Sequence, residues 1–145
     1  YLENNLRVPG KLEMLGVKVD MGKVDMPSYL LATREDHIVP WTSAYLVRQI
    51  LGGESTFVLG ASGHIAGAIN PASKNRRSYW TSDSKASVPE EWLEAASEHK
   101  GSWWLHWIEW LKPRSGNMVA ARNKLGSTKY KVLEAAPGRY VKETV

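Results

Sequence analysis

The chain has 145 residues, 43% of them hydrophobic and 23% charged, an ordinary globular balance with enough apolar material for a real core. No run approaches the roughly 18 apolar residues of a membrane span, no basic-then-apolar leader opens the sequence, and the first residue is Tyr1, so a segment from inside a longer polypeptide is expected. Absence of cysteine excludes disulfides and thiolate metal sites here, while the net charge of +4, spread over scattered basic residues, suits an anionic partner such as a phosphorylated cofactor better than nucleic acid.

In chain order, the opening Tyr1-Leu2-Glu3-Asn4-Asn5 reads as a helix end or loop, closed by Pro9-Gly10. Residues 12–21 alternate, most clearly in Val17-Lys18-Val19-Asp20-Met21, and a turn near Leu15-Gly16 predicts a small hairpin. Tyr29-Leu30-Leu31-Ala32 is a short unbroken apolar run, the pattern of a strand buried on both faces, and it ends in Thr33-Arg34-Glu35-Asp36-His37. A helix is predicted next. Pro40 stands near its first turn, Tyr45, Leu46, Val47, Ile50 and Leu51 give it an apolar side, and Gly52-Gly53 stops it. Thr56-Phe57-Val58-Leu59 reads as a second buried strand, ending at Gly60-Ala61-Ser62-Gly63-His64. Strand, helix, strand in this order implies a parallel pair with a right-handed crossover, hence an α/β fold.

The polar stretch from Asn70 to Ser87 predicts a long surface loop. Ser87 and Glu90 have capping-box spacing ahead of a helix from about Val88 to Glu98. Gly101-Ser102 separates it from a further helix, ending before Pro113, that carries Trp103, Trp104, Trp107 and Trp110. Trp103, Trp107 and Trp110 share one face at helical spacing, which packing against the sheet explains best; contact with an apolar surface outside the domain is the sharper alternative. One domain is therefore expected, with acid and histidine strands at about 28–64, helices at about 88–112, and an irregular tail over 113–145 that holds one short strand at Lys129–Leu133.

Each predicted parallel strand delivers a titratable residue at its carboxyl end, Asp36 after the first and His64 after the second, 28 residues later. Functional groups of open α/β sheets collect at that edge. Neighbouring strands lie about 5 Å apart, so the two loops can bring these side chains together. A carboxylate that accepts from one imidazole nitrogen fixes the tautomer and leaves the other nitrogen to take a proton from a nucleophile. The chain order nucleophile, acid, histidine of an α/β-hydrolase then puts the nucleophile upstream. Taken singly, Asp36 is more often a loop residue or helix N-cap, and His64 a satisfied structural histidine. Taken together, with Gly60, Gly63 and Gly67 allowing tight backbone beside the histidine, a functional pair explains them equally well. His37 is expected to tune or shield Asp36, and His99 and His106, on helical segments, to pack or face solvent. Arg76 and Arg77 stand where guanidinium groups could meet phosphates, against the plainer reading of a solvated loop. Ile65, next to the histidine, lines a pocket there or packs. Without cysteines or a paired His-carboxylate spacing, no metal site is expected.

At these same residues the sequence resembles class I polyhydroxyalkanoate synthases. The likeness lies in Asp36-His37-Ile38-Val39-Pro40-Trp41 and in Phe57-Val58-Leu59-Gly60-Ala61-Ser62-Gly63-His64-Ile65-Ala66-Gly67. It continues through Ile69-Asn70-Pro71, Arg77-Ser78-Tyr79-Trp80-Thr81, Gly101-Ser102-Trp103-Trp104 and Ala136-Pro137-Gly138-Arg139-Tyr140-Val141-Lys142, and so spans nearly the whole chain. The resemblance implies the C-terminal portion of an α/β-hydrolase fold, a mostly parallel sheet with flanking helices, incomplete in this chain. It implies a Cys-His-Asp triad in which His64 deprotonates an upstream cysteine and Asp36 orients His64. The substrate would be an (R)-3-hydroxyacyl-coenzyme A thioester and the product a polyester plus free coenzyme A, with no cofactor beyond that thioester. The enzyme would be a cytoplasmic homodimer at a storage-granule surface, its nearest partner the N-terminal remainder of the same polypeptide. Neither cysteine nor oxyanion hole is present here, so this segment alone is expected to be inactive. Two alternatives stay open on the residues themselves: a serine esterase or acyltransferase of the same superfamily, and a non-catalytic domain that binds polymer or a partner.

Overall fold

Leu15 and Gly16 both adopt positive φ, 51° and 78°, and this pair of left-handed residues closes the expected hairpin, β1 (Glu13–Met14) antiparallel to β2 (Val17–Lys18). The computed structural model describes residues 2–144, in two compact units divided between Arg114 and Ser115. The two apolar runs form β3 (Ser28–Thr33) and β4 (Ser55–Gly60), which pair in parallel from Ser28 opposite Ser55 to Thr33 opposite Gly60. Between them the predicted helix is shorter than its apolar pattern suggests. It comprises α1 (Trp41–Tyr45), with Pro40 just ahead of the first turn, and tightens into a 3₁₀ turn over Leu46–Gln49.

After β4 the chain forms α2 (His64–Ala68), then β5 (Ser78–Thr81), α3 (Pro89–Glu94), β6 (Ser97–Lys100) and α4 (Trp103–Leu111). The sheet order is β3-β4-β5-β6, and both later pairings are antiparallel. The fold is thus α/β with a mixed sheet, and in the described residues the sheet is not mostly parallel. Three expectations need correcting with it. The stretch 70–87 is not all loop, because Ser78-Tyr79-Trp80-Thr81, aromatic and β-branched at its middle, adds a strand beside β4. The helix predicted to Glu98 stops at Glu94, and Ser97-Glu98-His99-Lys100 forms the outer strand, so His99 is a strand residue. No capping box forms: Val88 is the N-cap without a side-chain bond, Pro89 fills the first helical position, and the Ser87 carbonyl accepts from Gln49 Nε2 at 2.6 Å.

Strand alternation divides the sheet into two unlike faces. Leu30, Ala32, Phe57, Leu59 and Trp80 lie on one. There Tyr45 from α1 and Trp92 from α3 meet Phe57 edge-on, with ring centroids 5.0 and 4.9 Å away, and all three rings are buried. The Tyr45 hydroxyl keeps a partner in that core by donating to the Ala86 carbonyl at 2.6 Å. The other face carries Tyr29, Thr33, Gly60, Tyr79, Thr81 and His99 beneath α4. Tyr29 meets Trp103, His106 and Trp110 at centroid distances of 6.3, 5.7 and 5.5 Å, and its hydroxyl bonds His106 Nδ1 at 2.9 Å. The packing reading of the tryptophans therefore holds, with one change. His106 rather than Trp107 is the middle residue of the sheet-facing row, and Trp107 sits at the rim against Trp103. His99 packs as well, stacked on Tyr79 and bonded to Thr81 Oγ1 at 2.8 Å.

The residues from Ser115 onward form an irregular unit whose one regular element among the described residues is a 3₁₀ turn at Tyr140–Lys142. The strand expected at Lys129–Leu133 does not form. Ser127 and Tyr130 instead close a turn on each other, Ser127 N–H to the Tyr130 carbonyl at 2.7 Å and Tyr130 N–H to Ser127 Oγ at 3.0 Å. Among the described residues no helix is long and apolar enough to cross a membrane.

The two borders of the sheet differ sharply. β6 is polar and largely exposed, as a solvent-facing edge should be. β3 is apolar over Tyr29-Leu30-Leu31-Ala32, yet among the described residues it pairs only with β4. An unpaired apolar ladder is a template for self-association. Expressed by itself, the 145-residue chain is expected to aggregate or fold poorly, as size-exclusion chromatography with light scattering would read. A monodisperse monomer with a cooperative melt would contradict this.

Candidate active site

Parallel pairing of β3 and β4 sends both strand ends out of one sheet edge, and backbone bonds tie the two departing loops together. Arg34 N–H donates to the Gly60 carbonyl at 2.8 Å and Glu35 N–H to the Ser62 carbonyl at 3.0 Å. Asp36 comes next. Its Oδ1 accepts from the backbone N–H of Ile38 and of Val39, each at 2.9 Å, a local turn that fixes the carboxylate plane. Oδ2 is thereby aimed across the edge at His64, whose Nδ1 lies 2.8 Å away.

His64 is held from the opposite side. Ser62, with φ 78°, turns the chain out of β4, and Gly63 in extended conformation precedes the first residue of α2. The helix then presses against β3 at Gly67, where a Cβ would stand 2.8 Å from the Ala61 carbonyl oxygen and collide with the Thr33 side chain. Of the three glycines picked out around the histidine, Gly67 is the one without room for a side chain; Gly60 and Gly63 meet only ordinary distances or a neighbour that needs to give slightly.

Electrostatics assign the protons. The Val39 N–H first, then the His64 ring and the Ile38 N–H, lower the Asp36 pKa to about 2 against a smaller opposing effect of burial. A carboxylate ionised throughout the neutral range has no proton to give, so the short bond requires Nδ1–H to donate to Oδ2. The neutral ring then presents Nε2 as an acceptor. It has no partner among the described residues, and the His64 side chain is 45% exposed against 10% for Asp36. The pair can hold one tautomer, accept a proton at Nε2, and stabilise the resulting imidazolium.

The other predicted residues fall into place unevenly. His37 is exposed and makes no side-chain bond among the described residues, so no contact ties its ring to Asp36. Ile65 is 68% exposed on the first turn of α2, and Ile38 and Ile69 are similarly open on the same edge. Arg76 and Arg77 are exposed in the loop that enters β5. Because β5 is antiparallel to β4, with Tyr79 opposite Gly60 and Ala61 N–H bonded to the Ser78 carbonyl at 2.9 Å, this loop shares the sheet edge of Asp36 and His64. Thr33 escaped the sequence reading. It is buried, and its hydroxyl stands 3.5 Å from Asp36 Oδ2, a marginal bond; the signal was a hydroxyl ending an otherwise apolar strand. Among the described residues no group of three His, Asp or Glu side chains could hold a metal ion.

No protein-family model matches the chain. Individual proteins do. It is 53% identical over 142 residues to the poly(3-hydroxyalkanoate) polymerase subunit PhaC of Cupriavidus necator, a match covering 98% of this chain and 24% of that protein. It is 43% identical to the protein of the same name from Rhizobium etli, over 99% of this chain and 22% of the relative. It is 41% identical to poly(3-hydroxyalkanoate) polymerase 2 of Ectopseudomonas oleovorans, over 95% of this chain and 25% of the relative. With identity of this order along almost its whole length, the chain is homologous to the poly(3-hydroxyalkanoate) polymerases, about a quarter of whose length it spans.

Proposed function

We propose that the chain is the acid-and-histidine portion of an α/β-hydrolase-type acyltransferase that polymerises (R)-3-hydroxyacyl-coenzyme A into polyhydroxyalkanoate, with its cysteine nucleophile and oxyanion hole upstream. The observation that carries this is the 2.8 Å contact between Asp36 Oδ2 and His64 Nδ1 with Nε2 left open. The relatives are named as poly(3-hydroxyalkanoate) polymerases, which supports the same reading.

In this mechanism His64 Nε2 takes the proton of the cysteine thiol, and the thiolate attacks the carbonyl carbon of the acyl-coenzyme A thioester. The carbon–sulfur bond to coenzyme A breaks. The leaving thiolate is protonated by the imidazolium, which Asp36 stabilises while it exists. A hydroxyl group of a monomer or growing chain then attacks the enzyme thioester, giving up its proton to the dyad as the cysteine departs. One thioester is exchanged for another almost isoenergetically, and the ester bond is made in the second step. Such a reaction needs no metal and no cofactor besides the substrate's own coenzyme A. Ile65 would line the acyl pocket and His37 would border the site. Arg76 and Arg77, on the reactive edge, would meet the phosphates of coenzyme A. The whole enzyme would be a cytoplasmic homodimer at the surface of a polymer granule, with the upstream part of the same polypeptide completing the sheet at β3.

Three variants of the full-length enzyme test the reading. Asp36→Asn leaves Nδ1 without an anionic acceptor and should lower turnover of 3-hydroxybutyryl-coenzyme A by about 10²–10⁴-fold; a loss under about threefold would count against the dyad. His64→Gln should reduce turnover at least as far. Replacing Arg76 and Arg77 together by Ala should raise the KM for the acyl-coenzyme A with little change in kcat, and equal KM values would return both side chains to solvent.

A further inference from the structure

His64 stands at the first residue of a helix only five residues long, which by itself is too short to persist in water. Inside α2 the ladder is brief: Gly67 N–H donates to the Gly63 carbonyl and Ile69 N–H to the Ile65 carbonyl, each at 2.8 Å. The last carbonyls of any helix lack an intrahelical partner. Here the last two accept from side chains of another helix, Ala68 alongside the Asn70 N–H at 3.1 Å. The Trp103 indole N–H donates to the Gly67 carbonyl at 3.0 Å, and the Trp104 indole N–H donates to the Ala68 carbonyl at 3.0 Å.

The start of α4 that offers these two indoles is itself anchored to the backbone around the site. Ser102, buried, is its N-cap and accepts from Trp104 N–H at 3.1 Å, while its own hydroxyl donates to the carbonyl of buried Asn70, just past α2. Ser102 N–H donates to Asn75 Oδ1 at 2.8 Å, Asn70 Nδ2 to the Arg76 carbonyl at 2.8 Å, and Gly101 N–H to the Arg77 carbonyl at 2.7 Å. One short stretch therefore grips the far end of the histidine helix and the loop of the arginine pair.

We propose that Trp103 and Trp104 are positioning residues for His64, acting through α2: their indole N–H groups fix the carboxyl end of that helix and so set where the imidazole stands at its other end. The role rests on the reading of His64 as general base. At about 1.5 Å per residue the helix is a stiff arm of roughly 7 Å. Gly67 against Thr33 serves as the fulcrum and the two indole bonds as the clamp. Loss of the Trp103 bond frees the Gly67 carbonyl to seek water, loss of the Trp104 bond leaves the Ala68 carbonyl with its Asn70 N–H alone, and either lets the arm tilt. A misplacement of about 1 Å at a reacting group costs on the order of 10²-fold in rate.

Phenylalanine keeps most of the ring packing and removes the N–H, so Trp103→Phe, Trp104→Phe and the double variant of the full-length polymerase isolate the clamp. Each single variant should lower kcat by about tenfold, and the pair by about 10²-fold, with the KM for 3-hydroxybutyryl-coenzyme A held within about twofold. The active-site thiol should react with iodoacetamide more slowly at neutral pH, because a displaced His64 no longer shares its proton. Trp107→Phe, on the same helix at the exposed rim, should change none of these. Parental kcat and alkylation rate in a folded Trp104→Phe enzyme would overturn the proposal, as would losses matched by Trp107→Phe. If the double variant does not accumulate, the Trp104→Phe single decides. His64→Gln run alongside separates the two readings: retained turnover there removes the general base itself, whereas loss there with parental Phe variants removes only the clamp.

Discussion

Asp36 is committed on both oxygens. One is occupied by two successive backbone N–H groups, which hold the carboxylate plane, and the other is shared between the short His64 bond and the marginal Thr33 hydroxyl contact. That constraint determines the His64 tautomer, the identity of the nitrogen left open and the side of the sheet on which a proton can be exchanged. The low Asp36 pKa follows from the same bonds, Val39 N–H foremost, rather than from burial, which opposes it. Its turn and its partner keep the acid anionic further into the acidic range than an ordinary carboxylate.

Sheet topology supplies the rest. In-register parallel pairing puts Thr33 beside Gly60, so the acid and histidine loops leave together. Reversing direction at β5 and again at β6 returns the chain to that edge twice more, first before Ser78 with the arginine loop and then after Lys100 with the start of α4. Four chain segments meet at one border of a four-stranded sheet. A wholly parallel arrangement of the same strands would have put the β5 entry and the β6 exit at opposite ends.

How much of this was legible in the sequence depended on burial. The β3 and β4 runs were plain because strands covered on both faces must be apolar without a break, and the short loop after each run carries Asp36 or His64. The hairpin was readable from its glycine. β6 was not, since a border strand of Ser-Glu-His-Lys is chosen for solvent and carries no hydrophobic period. β5 was masked by the serines and arginines around it, although Tyr79-Trp80-Thr81 has strand character. The shortened α1 and α3 reflect tertiary limits that an apolar pattern does not encode. At Lys129–Leu133 alternation promised a strand, yet Ser127 and Tyr130 found each other locally and no neighbouring ladder competed.

A helix with indoles around much of its circumference is poorly phased by burial alone. The phenol of Tyr29 removes that degeneracy, because only one rotation brings the His106 ring to its hydroxyl. Burial and the neighbouring His99 lower the His106 pKa, which keeps the ring uncharged and able to sit there. A directional bond in the middle of the helix thus joins the two indole bonds at its start in setting the phase, and the phase decides which way every other aromatic along it points.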